Sequence, residues 1–350
     1  LISAKRGTLT VRLPGSGQFI GSLIGQCLGD ALGFPVEGQP YPVCRDYVQE
    51  IILEGPGLRS RPGFVFGQYS DDSQLARELI LSCVELKSFN PDDYARRIAD
   101  LFSMGNAVGG GQATLDAALR LAQGVPWNRA GTPSPSAGSG SAMRAGPIGL
   151  MFYDETESLI RAAHDQGIIT HRDIRCSIGS VAVAGSVAYA LVNKPIDRED
   201  FVREISQLVG VIDQSAEVVY SSLTDWIELE PIDAIRAIIS SGYAFGDWQD
   251  WQGLTPFVTG TVLWGMYAFL HSPENYLKTI STAIEIGGDV DTTAAIAGAI
   301  SGAYLGIGSL PRNLAIYLTD RGTWGYGELT QLAMDLYNLK ILRKELSPYA

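Results

Sequence analysis

Residues 285–295 read EIGGDVDTTAA and place Asp289 and Asp291 one residue apart, behind two glycines and ahead of Thr292. Carboxylates and hydroxyls before an apolar run are common helix caps, because their oxygens accept the free N–H groups of the first turn. Oxygen donors also suit Mg²⁺, Mn²⁺ and Ca²⁺ better than they suit Zn²⁺. A cap needs only one of these side chains, so the segment allows two interpretations, a helix cap or a metal site.

A second acidic cluster stands at the head of another apolar run. The segment YSDDSQ contains Ser70, Asp71, Asp72 and Ser73. Adjacent aspartates repel unless a positive charge lies between them, and burial increases the cost. Together the two clusters offer four carboxylates, which would balance two divalent cations, and with only three histidines in the chain a nitrogen-rich metal site is disfavoured. The pattern leaves open whether the two clusters meet in space.

The elements that must position these clusters are predicted to be helices. Apolar residues recur three and four positions apart, whereas the alternating pattern of strands is almost absent apart from TLTVRL near the N-terminus. The predicted helices span residues 16–33, 73–88, 91–104, 113–123, 156–167, 173–193, 197–210, 213–224, 257–270, 273–286, 291–305 and 327–343. We therefore expect an all-α fold, a compact single-domain bundle of roughly a dozen or more helices over residues 18–350, behind an N-terminal extension at 1–17.

Composition and charge restrict the class of protein. The chain is 46% hydrophobic and 18% charged, which is typical of a globular protein. Its net charge of −12 argues against binding to nucleic acid or to an anionic membrane. No signal-peptide core is visible, and no uncharged apolar stretch has the length that a membrane span requires. Four cysteines without paired spacing, Cys27, Cys44, Cys83 and Cys176, indicate free thiols in a reducing compartment. We expect a cytoplasmic protein.

Five segments, in order along the chain, resemble the ADP-ribosylglycohydrolase family, the all-helical proteins that include dinitrogenase-reductase-activating glycohydrolase. They are GSLIGQCLGDALGFPVEG, YSDDSQ, GSGSAMRAGPIGL, ITHRD and GGDVDTTAAIAGAISGAYLG. YSDDSQ is similar to the family's Thr-Asp-Asp-Thr motif, and GSGSAMR to its Gly-Asn-Gly-Ala-Ala-Met-Arg segment. The resemblance covers the chain from about residue 18 to residue 312, and it implies the family's fold and its hydrolysis of ADP-ribosyl bonds.

The resemblance also implies a set of site residues. A pair of Mg²⁺ or Mn²⁺ ions would be held by Ser70, Asp71, Asp72, Asp289, Asp291 and Thr292. The ADP-ribose cleft would be lined by Gly109, Gly110, Gly111, Ser139, Gly140, Ser141, Met143 and His171. Glu37 would lie close to the reacting ribose. Either Glu37 or one of Asp71, Asp72 and Asp291 would serve as the base, and we name Glu37, Asp72 and Asp291 as the candidate catalytic residues.

This sequence departs from the family pattern in two places. Ser70 and Ser73 replace threonines, which keeps the hydroxyl but removes the methyl group that stiffens χ1. The stretch SMGNAVGGGQATL, residues 103–115, contains no acid. Any family carboxylate that holds an arginine guanidinium there is therefore missing or displaced, and the bond that is cleaved is less well defined than the fold.

Other candidate residues have structural alternatives. His171 is equally compatible with a core or capping histidine, and Arg144 with a buried ion pair as much as with phosphate contact. Glu37 could be an ordinary surface residue. Trp248 and Trp251 could stack on a base, although loop packing is the simpler interpretation.

Hydrolysis of an ADP-ribosyl bond is substitution at the anomeric carbon through an oxocarbenium-like transition state, in which one group activates water and another assists the leaving group. A metal pair would orient the ribose hydroxyls and lower the pKa of a bridging water. The cations and the glycine-rich helix N-termini would also let an acidic protein accept a pyrophosphate.

Three functions remain open. The first is a metal-dependent hydrolase that removes ADP-ribose from modified protein side chains, with arginine as the favoured acceptor. The second is the same chemistry on a serine or O-acyl linkage. The third is a non-catalytic relative, either a structural protein or an immunity protein that neutralises a toxin. The expected partners are an ADP-ribosylated protein, ADP-ribose and, in the last case, a cognate ADP-ribosyltransferase toxin, with neither nucleic acid nor membrane.

Overall fold

The computed structural model of the protein describes residues 13–53, 59–240 and 253–346. Trp248, Trp251 and residues 1–12 of the predicted extension at 1–17 lie outside the described residues. The described chain forms helices without a regular strand. In order they are α1 Ser16–Gly33, α2 Tyr41–Tyr47, α3 Asp71–Leu86, α4 Pro91–Ser103, α5 Gln112–Ala122, α6 Trp127–Ala130, α7 Gly146–Phe152, α8 Thr156–Ile168, α9 Ile174–Val192, α10 Arg198–Gly210, α11 Gln214–Ser221, α12 Leu223–Trp226, α13 Pro231–Ser240, α14 Val258–His271, α15 Tyr276–Glu285, α16 Val290–Leu305, α17 Arg312–Ala315 and α18 Tyr326–Leu346. Short 3₁₀ turns at Phe34–Val36, Ser139–Ser141 and Ile307–Ser309 and a π-helical turn at Val48–Leu53 complete the secondary structure of these ranges.

The all-α prediction is confirmed. Each helix predicted from the apolar pattern is present within a few residues of its expected bounds, and the helix predicted over 213–224 is divided into α11 and α12. The longer elements that the pattern missed are α2, α7 and α13. The four cysteines are buried and unpaired, as expected of free thiols.

Helices α1 and α16 pack against each other at the centre of the bundle, and glycines at every fourth position make their close approach possible. A Cβ atom added to Gly25 would lie 2.4 Å from the carbonyl oxygen of Gly298, and one added to Gly33 would lie 2.5 Å from the Cα atom of Asp291. Only a residue without a side chain fits such a contact. The spacing therefore fixes the end of α1 against the start of α16.

Neighbouring helices bury this central pair. Tyr276 of α15 donates its hydroxyl to the carbonyl oxygen of Gly25 at 2.6 Å. Trp264 of α14, which is fully buried, donates its indole N–H to the carbonyl oxygen of Ala283 at 3.2 Å. These bonds satisfy the polar atoms of large buried aromatic side chains and connect the surrounding helices to α1 and to one another.

Two described helical segments are long and apolar enough to cross a membrane, Ser16–Val36 and Ile174–Val192. Each contains one charged residue, Asp30 in the first and Arg175 in the second, so neither is an uncharged apolar stretch of that length. In the structure, 94% and 89% of their apolar windows are buried within the protein. Their apolar character is therefore accounted for by packing in the core.

Candidate active site

The two acidic clusters lie on the same cleft, which has a volume of about 330 Å³. It opens between the start of α3, the start of α16, the turn that follows α1 and the loops that precede α5 and α7. Most of the residues predicted for the site line it: Glu37, Asp71, Asp72, Gly110, Gly111, Ser139, Gly140, Met143, His171, Asp289, Asp291 and Thr292. The helical packing thus brings together side chains that are more than 200 residues apart in the sequence.

Three predicted residues are not among those that line the cleft. Ser70 is buried directly behind Asp72, and Gly109 lies beside the carboxylate of Asp71. Ser141 points away, since its hydroxyl donates to the carbonyl oxygen of Cys176 at 3.1 Å. Ser70 and Gly109 therefore support the cleft from behind, whereas the structure does not bring the side chain of Ser141 into it.

Sequence reasoning also missed residues that the structure places at the site. Gln112, Ala113, Thr114, Ser136, Gly138 and Pro256 line the cleft. They carry no chemical pattern that would have singled them out. Asp30 did carry a signal, because it is the one charged residue within the apolar helix α1, where a charge needs partners.

The start of α3 is held by side chains. Ser70 caps the helix, with its Oγ accepting from the Asp72 N–H at 3.3 Å, and it donates to Asp72 Oδ2 at 3.0 Å. The fully buried carboxylate of Asp30 accepts from the Ser70 N–H at 2.9 Å, the Ser73 N–H at 3.1 Å and the Ser73 hydroxyl at 2.6 Å. Because Ser70 supplies the cap, Asp71 and Asp72 are not needed for capping.

The start of α16 is held by the backbone. Gly287 and Gly288 have φ of +79° and +90°, a region that favours glycine. The Gly38 N–H donates to the carbonyl of Gly288 at 2.8 Å, and the Asp289 N–H donates to the carbonyl of Leu254 at 2.8 Å. These bonds fix the chain as it enters α16 without using its carboxylates.

The aspartates of α16 are not its caps. Asp289 occupies the N-cap position but makes no capping hydrogen bond with its side chain. Its Oδ2 instead accepts from the Ser139 hydroxyl at 3.1 Å. Asp291 Oδ1 accepts only from the adjacent Thr292 N–H, at 3.0 Å, among the hydrogen bonds of the described residues. The simple interpretation of this cluster as a helix cap therefore does not account for its carboxylates.

The four carboxylates influence one another. Burial, with the neighbouring charges of Asp30 and Glu37, raises the pKa of Asp71 to about 8. Burial and the charge of Glu37 raise the pKa of Asp289 to about 7. The pKa values of Asp72 and Asp291 lie well above the ordinary range, first through burial and then through neighbouring acids: Asp30, Asp71 and Asp289 for Asp72, and Glu37, Asp72 and Asp289 for Asp291. A buried acidic cluster of this kind favours the uptake of protons or of a cation.

The donor set fits a hard divalent cation in its chemistry. Carboxylate and hydroxyl oxygens surround the cleft, and Asp72 Oδ1 is buried without a hydrogen-bond partner. In the part of the chain that the structure describes, however, no three acidic, histidine or cysteine side chains converge on one point. Several carboxylate oxygens accept hydrogen bonds from protein donors instead. Binding of a cation would therefore require these side chains to reorient.

Glu37 belongs to the cleft and not to the open surface. It follows the Phe34–Val36 turn, lines the cleft and forms an ion pair with Arg61. The two side chains are 27% and 39% exposed. Glu37 is thus an acid at the edge of the site, already held by a cation from the same chain.

His171 and Arg144 have different environments. His171 lines the cleft, and burial together with the charge of Arg144 lowers the pKa of its imidazole to about 3, so that the ring is neutral. Its Nδ1 lies 2.8 Å from Thr170 Oγ1. Arg144 is fully buried and donates to Gln166 Oε1, to the Gln166 carbonyl and to Thr170 Oγ1 at 2.8–3.0 Å. Arg144 therefore supports the wall that carries His171 through neutral oxygens, and not through the buried ion pair that the sequence allowed.

Comparison with known proteins agrees with this arrangement. The family described as ADP-ribosylglycohydrolase matches residues 16–345. ADP-ribosylhydrolase ARH3 from Xenopus tropicalis is 27% identical over 85% of this chain and 90% of its own length. ADP-ribosylarginine hydrolase Tri1 from Pseudomonas putida is 25% identical over 83% of this chain and 71% of its own.

A solved structure shares the fold. It is described as an ADP-ribosylglycohydrolase-related protein complex, and it superposes with a TM-score of 0.65 and 25% identity over 93% of this chain and 98% of its own. The family match spans nearly the whole chain and includes every residue of the cleft. The chain therefore belongs to the ADP-ribosylglycohydrolase family and is an ADP-ribosyl-acceptor hydrolase.

Proposed function

We propose that this hydrolase removes ADP-ribose from modified protein side chains, with ADP-ribosyl-arginine as its favoured substrate, and that it uses a pair of Mg²⁺ or Mn²⁺ ions. The observation that supports this most strongly is the convergence of the N-termini of α3 and α16 on one cleft, where the charge of Asp289 at α16 raises the pKa of Asp72 at α3 and the charge of Asp72 raises that of Asp291. A cluster of buried negative charge needs compensation, and a divalent cation supplies it.

The residues that would hold the cations are Ser70, Asp71, Asp72, Asp289, Asp291 and Thr292. When bound, the ions would polarise the ribose oxygens and lower the pKa of a coordinated water. The hydroxyls of Ser70 and Ser139 already contact Asp72 and Asp289 at 3.0 and 3.1 Å, so they restrict the rotation of those carboxylates.

The remaining residues of the cleft bind and orient the substrate. Gly111 is the N-cap of α5 and leaves that helix N-terminus without a side-chain cap, which favours a phosphate there. His171, as a neutral imidazole, offers a polar contact without adding charge. Water would attack the anomeric carbon as the bond to the acceptor breaks, and one carboxylate of Glu37, Asp72 or Asp291 would take its proton while the leaving group gains one.

The acceptor and the catalytic status have alternatives. The Pseudomonas putida relative is named an ADP-ribosylarginine hydrolase, whereas the name of the Xenopus tropicalis relative specifies no acceptor. A serine or O-acyl linkage is therefore the second candidate. A structural or toxin-neutralising protein would not need two complete acidic clusters, although neutralisation of a cognate ADP-ribosyltransferase toxin is compatible with catalysis.

The test is hydrolysis of two matched peptides that carry ADP-ribose on arginine or on serine. We expect the metal-depleted protein to release ADP-ribose from the arginine peptide only after Mg²⁺ or Mn²⁺ is restored. Faster release from the serine peptide would favour the second candidate. Binding of ADP-ribose without release from either peptide, under any of these metal conditions, would identify a non-catalytic protein.

A further inference from the structure

At the edge of the cleft, one guanidinium is bound by three groups. The side chain of Arg61 forms an ion pair with Glu37 and lies over the ring of Phe34, with its Cζ atom 4.6 Å from the ring centroid. Its Nη1 also lies 3.5 Å from the carbonyl oxygen of Phe34. A carboxylate, an aromatic face and a carbonyl oxygen are the groups that recognise a planar, delocalised cation.

Among these groups Glu37 lines the cleft itself, and Phe34 is connected to the cleft through the backbone. Phe34 directly follows Gly33, whose backbone is fixed against Asp291. Glu37 lines the cleft, and its charge contributes to the raised pKa values of Asp71, Asp289 and Asp291. A guanidinium bound here would therefore lie beside the ribose that the α3 and α16 starts surround.

Glu37 is also the acid that the cleft has available for an acceptor. The other lining carboxylates belong to the α3 and α16 starts, and the stretch 103–115 contains no acid. The ion pair with Arg61 is partly exposed to solvent, and exposed pairs of this kind contribute little stability. A competing guanidinium can thus replace Arg61.

We propose that Phe34 and Glu37 form an acceptor subsite for a guanidinium group, and that Arg61 occupies it in the free protein in place of the substrate's arginine. This inference rests on the proposed function and makes it more specific, because it names the residues that select arginine. It also places Glu37 on the leaving-group side of the cleft, which leaves Asp72 or Asp291 to take the proton of the attacking water. The acceptor arginine must displace Arg61 when it binds.

The test compares Arg61→Ala with Arg59→Ala, a matched control that removes an arginine two positions away. Arg59 lies over the ring of Tyr47 and not over Phe34. We expect Arg61→Ala to bind methylguanidinium about threefold more tightly than the wild type, as measured by ligand-observed NMR. Methylammonium has the same charge but no planar guanidinium, so Arg61→Ala and the wild type should bind it equally. Arg59→Ala should bind both probes like the wild type.

Kinetics give a second readout. Arg61→Ala should lower KM for the ADP-ribosyl-arginine peptide by about threefold, with kcat little changed, and leave KM for the ADP-ribosyl-serine peptide unaltered. Arg61→Lys keeps the positive charge but lacks the planar guanidinium with its paired N–H donors. It should therefore also lower KM for the arginine peptide.

The binding assay needs no turnover, so it separates the subsite from the proposed function. Tighter methylguanidinium binding by Arg61→Ala in a protein that hydrolyses neither peptide would support the subsite and contradict the proposed function. Equal binding by the two alanine variants, or an equal gain for methylammonium, would overturn the subsite even if the arginine peptide is hydrolysed.

Discussion

The N-termini of α3 and α16, called here the α3 start and the α16 start, both carry two aspartates and a hydroxyl, but different contacts hold them in place. At α3, the side chains of Ser70 and Asp30 satisfy the first N–H groups. At α16, no side chain caps the helix at its N-cap residue, and the preceding chain is bonded through its backbone to residues 38, 39 and 254. One start depends on side chains that a substitution can remove, whereas the other depends on glycine and the main chain.

This difference separates capping from ligand binding. Ser70 performs the capping at α3, and the side chain of Asp289 performs none at α16. The carboxylates at both starts therefore bear a cost of burial and mutual repulsion that capping does not offset. If cation binding offsets it, substitutions of the aspartates should affect activity more than stability, and substitutions of the residues that hold them should affect both.

The largest effect is expected from Asp291→Asn. Asparagine keeps one oxygen but removes the charge that holds a divalent cation, so ADP-ribose release at saturating Mg²⁺ should fall by more than the roughly 10–100-fold that loss of an outer-shell partner causes. The thermal unfolding temperature should stay the same or rise, because a repelling charge is lost. The measurements are the initial rate of ADP-ribose release and the thermal unfolding curve of the same variant.

The matched control is Asp197→Asn. Asp197 is the N-cap of α10 and accepts from the Asp200 N–H at 3.0 Å. Asparagine caps helices about as well as aspartate, so activity and stability should both be preserved. Near-normal turnover by Asp291→Asn would contradict a role of Asp291 in holding a cation.

The second effect is a pH dependence of the metal-free protein. The pKa values of Asp30 and Asp289 rise from 3.8 to about 7, and that of Asp71 to about 8, so the folded protein retains protons that the unfolded chain has lost. Stability is therefore complete at low pH and falls as pH rises from about 4 through about 8, by a few kcal/mol.

Urea unfolding in EDTA from pH 5 to pH 8.5 measures this loss. Addition of Mg²⁺ or Mn²⁺ should restore most of it at pH 8, since the cation binds only the folded state. At pH 5 the same addition should have a smaller effect because protons compete for the carboxylates. A free energy of unfolding that is constant across this range would mean that the pKa values of these buried carboxyls are not raised in the folded protein.

The third effect tests the α3 start alone. Asp30→Asn should reduce activity by roughly 10–100-fold, because the amide group would face the N–H groups of Ser70 and Ser73 and shift Asp71 and Asp72. The affinity for Mn²⁺ should fall together with the activity, and this fall would distinguish a positioning role of Asp30 from a general loss of stability. Ser22→Ala is the control on the same helix, since it removes the 3.0 Å bond from Ser22 to the Ala299 carbonyl, away from the cleft. An activity loss of equal size in both variants would argue against a positioning role for Asp30.

The smallest effect is expected from Ser70→Thr and Ser70→Ala. Threonine keeps the capping hydroxyl and should leave the free energy of unfolding nearly unchanged, whereas alanine should reduce it by about 1 kcal/mol. Thr292→Ala, at the start of α16, should cost less stability than Ser70→Ala because backbone bonds hold that start. The reverse order in chemical denaturation would contradict the distinction between the two starts.

Local pattern was sufficient for most of the fold. The long helices, α3 and α16 among them, have apolar residues at helical spacing and polar residues at their starts, and both signals are local. α2 has Pro40 at its N-cap and Pro42 in its first turn, and α7 contains two glycines and a proline, so their sequences resemble loops. Their helical form depends on tertiary packing, which overrides weak local propensity.

The site was predictable in its residues but not in its geometry. The acidic clusters and Glu37 are visible in the sequence, whereas their convergence depends on the packing of α1 against α16. The glycines at positions 21, 25, 29 and 33 were a signal for that packing, although a one-dimensional pattern does not identify the partner helix. The contact of Phe34 and Glu37 with Arg61 crosses a loop and had no signal at all.

The packing of α1 against α16 also determines when the protein can finish folding. Ser22 and Ala299, which are joined by a hydrogen bond across the two helices, are 277 residues apart. At synthesis rates of about 5–20 residues per second, α1 waits roughly 15–60 s before its partner leaves the ribosome. During this time the face of α1 that carries the glycines lacks its partner helix, and pairings of such high contact order form slowly. Assembly of the cleft is therefore among the last events of biosynthesis, and nascent chains that stop before residue 290 should need a chaperone to remain unaggregated.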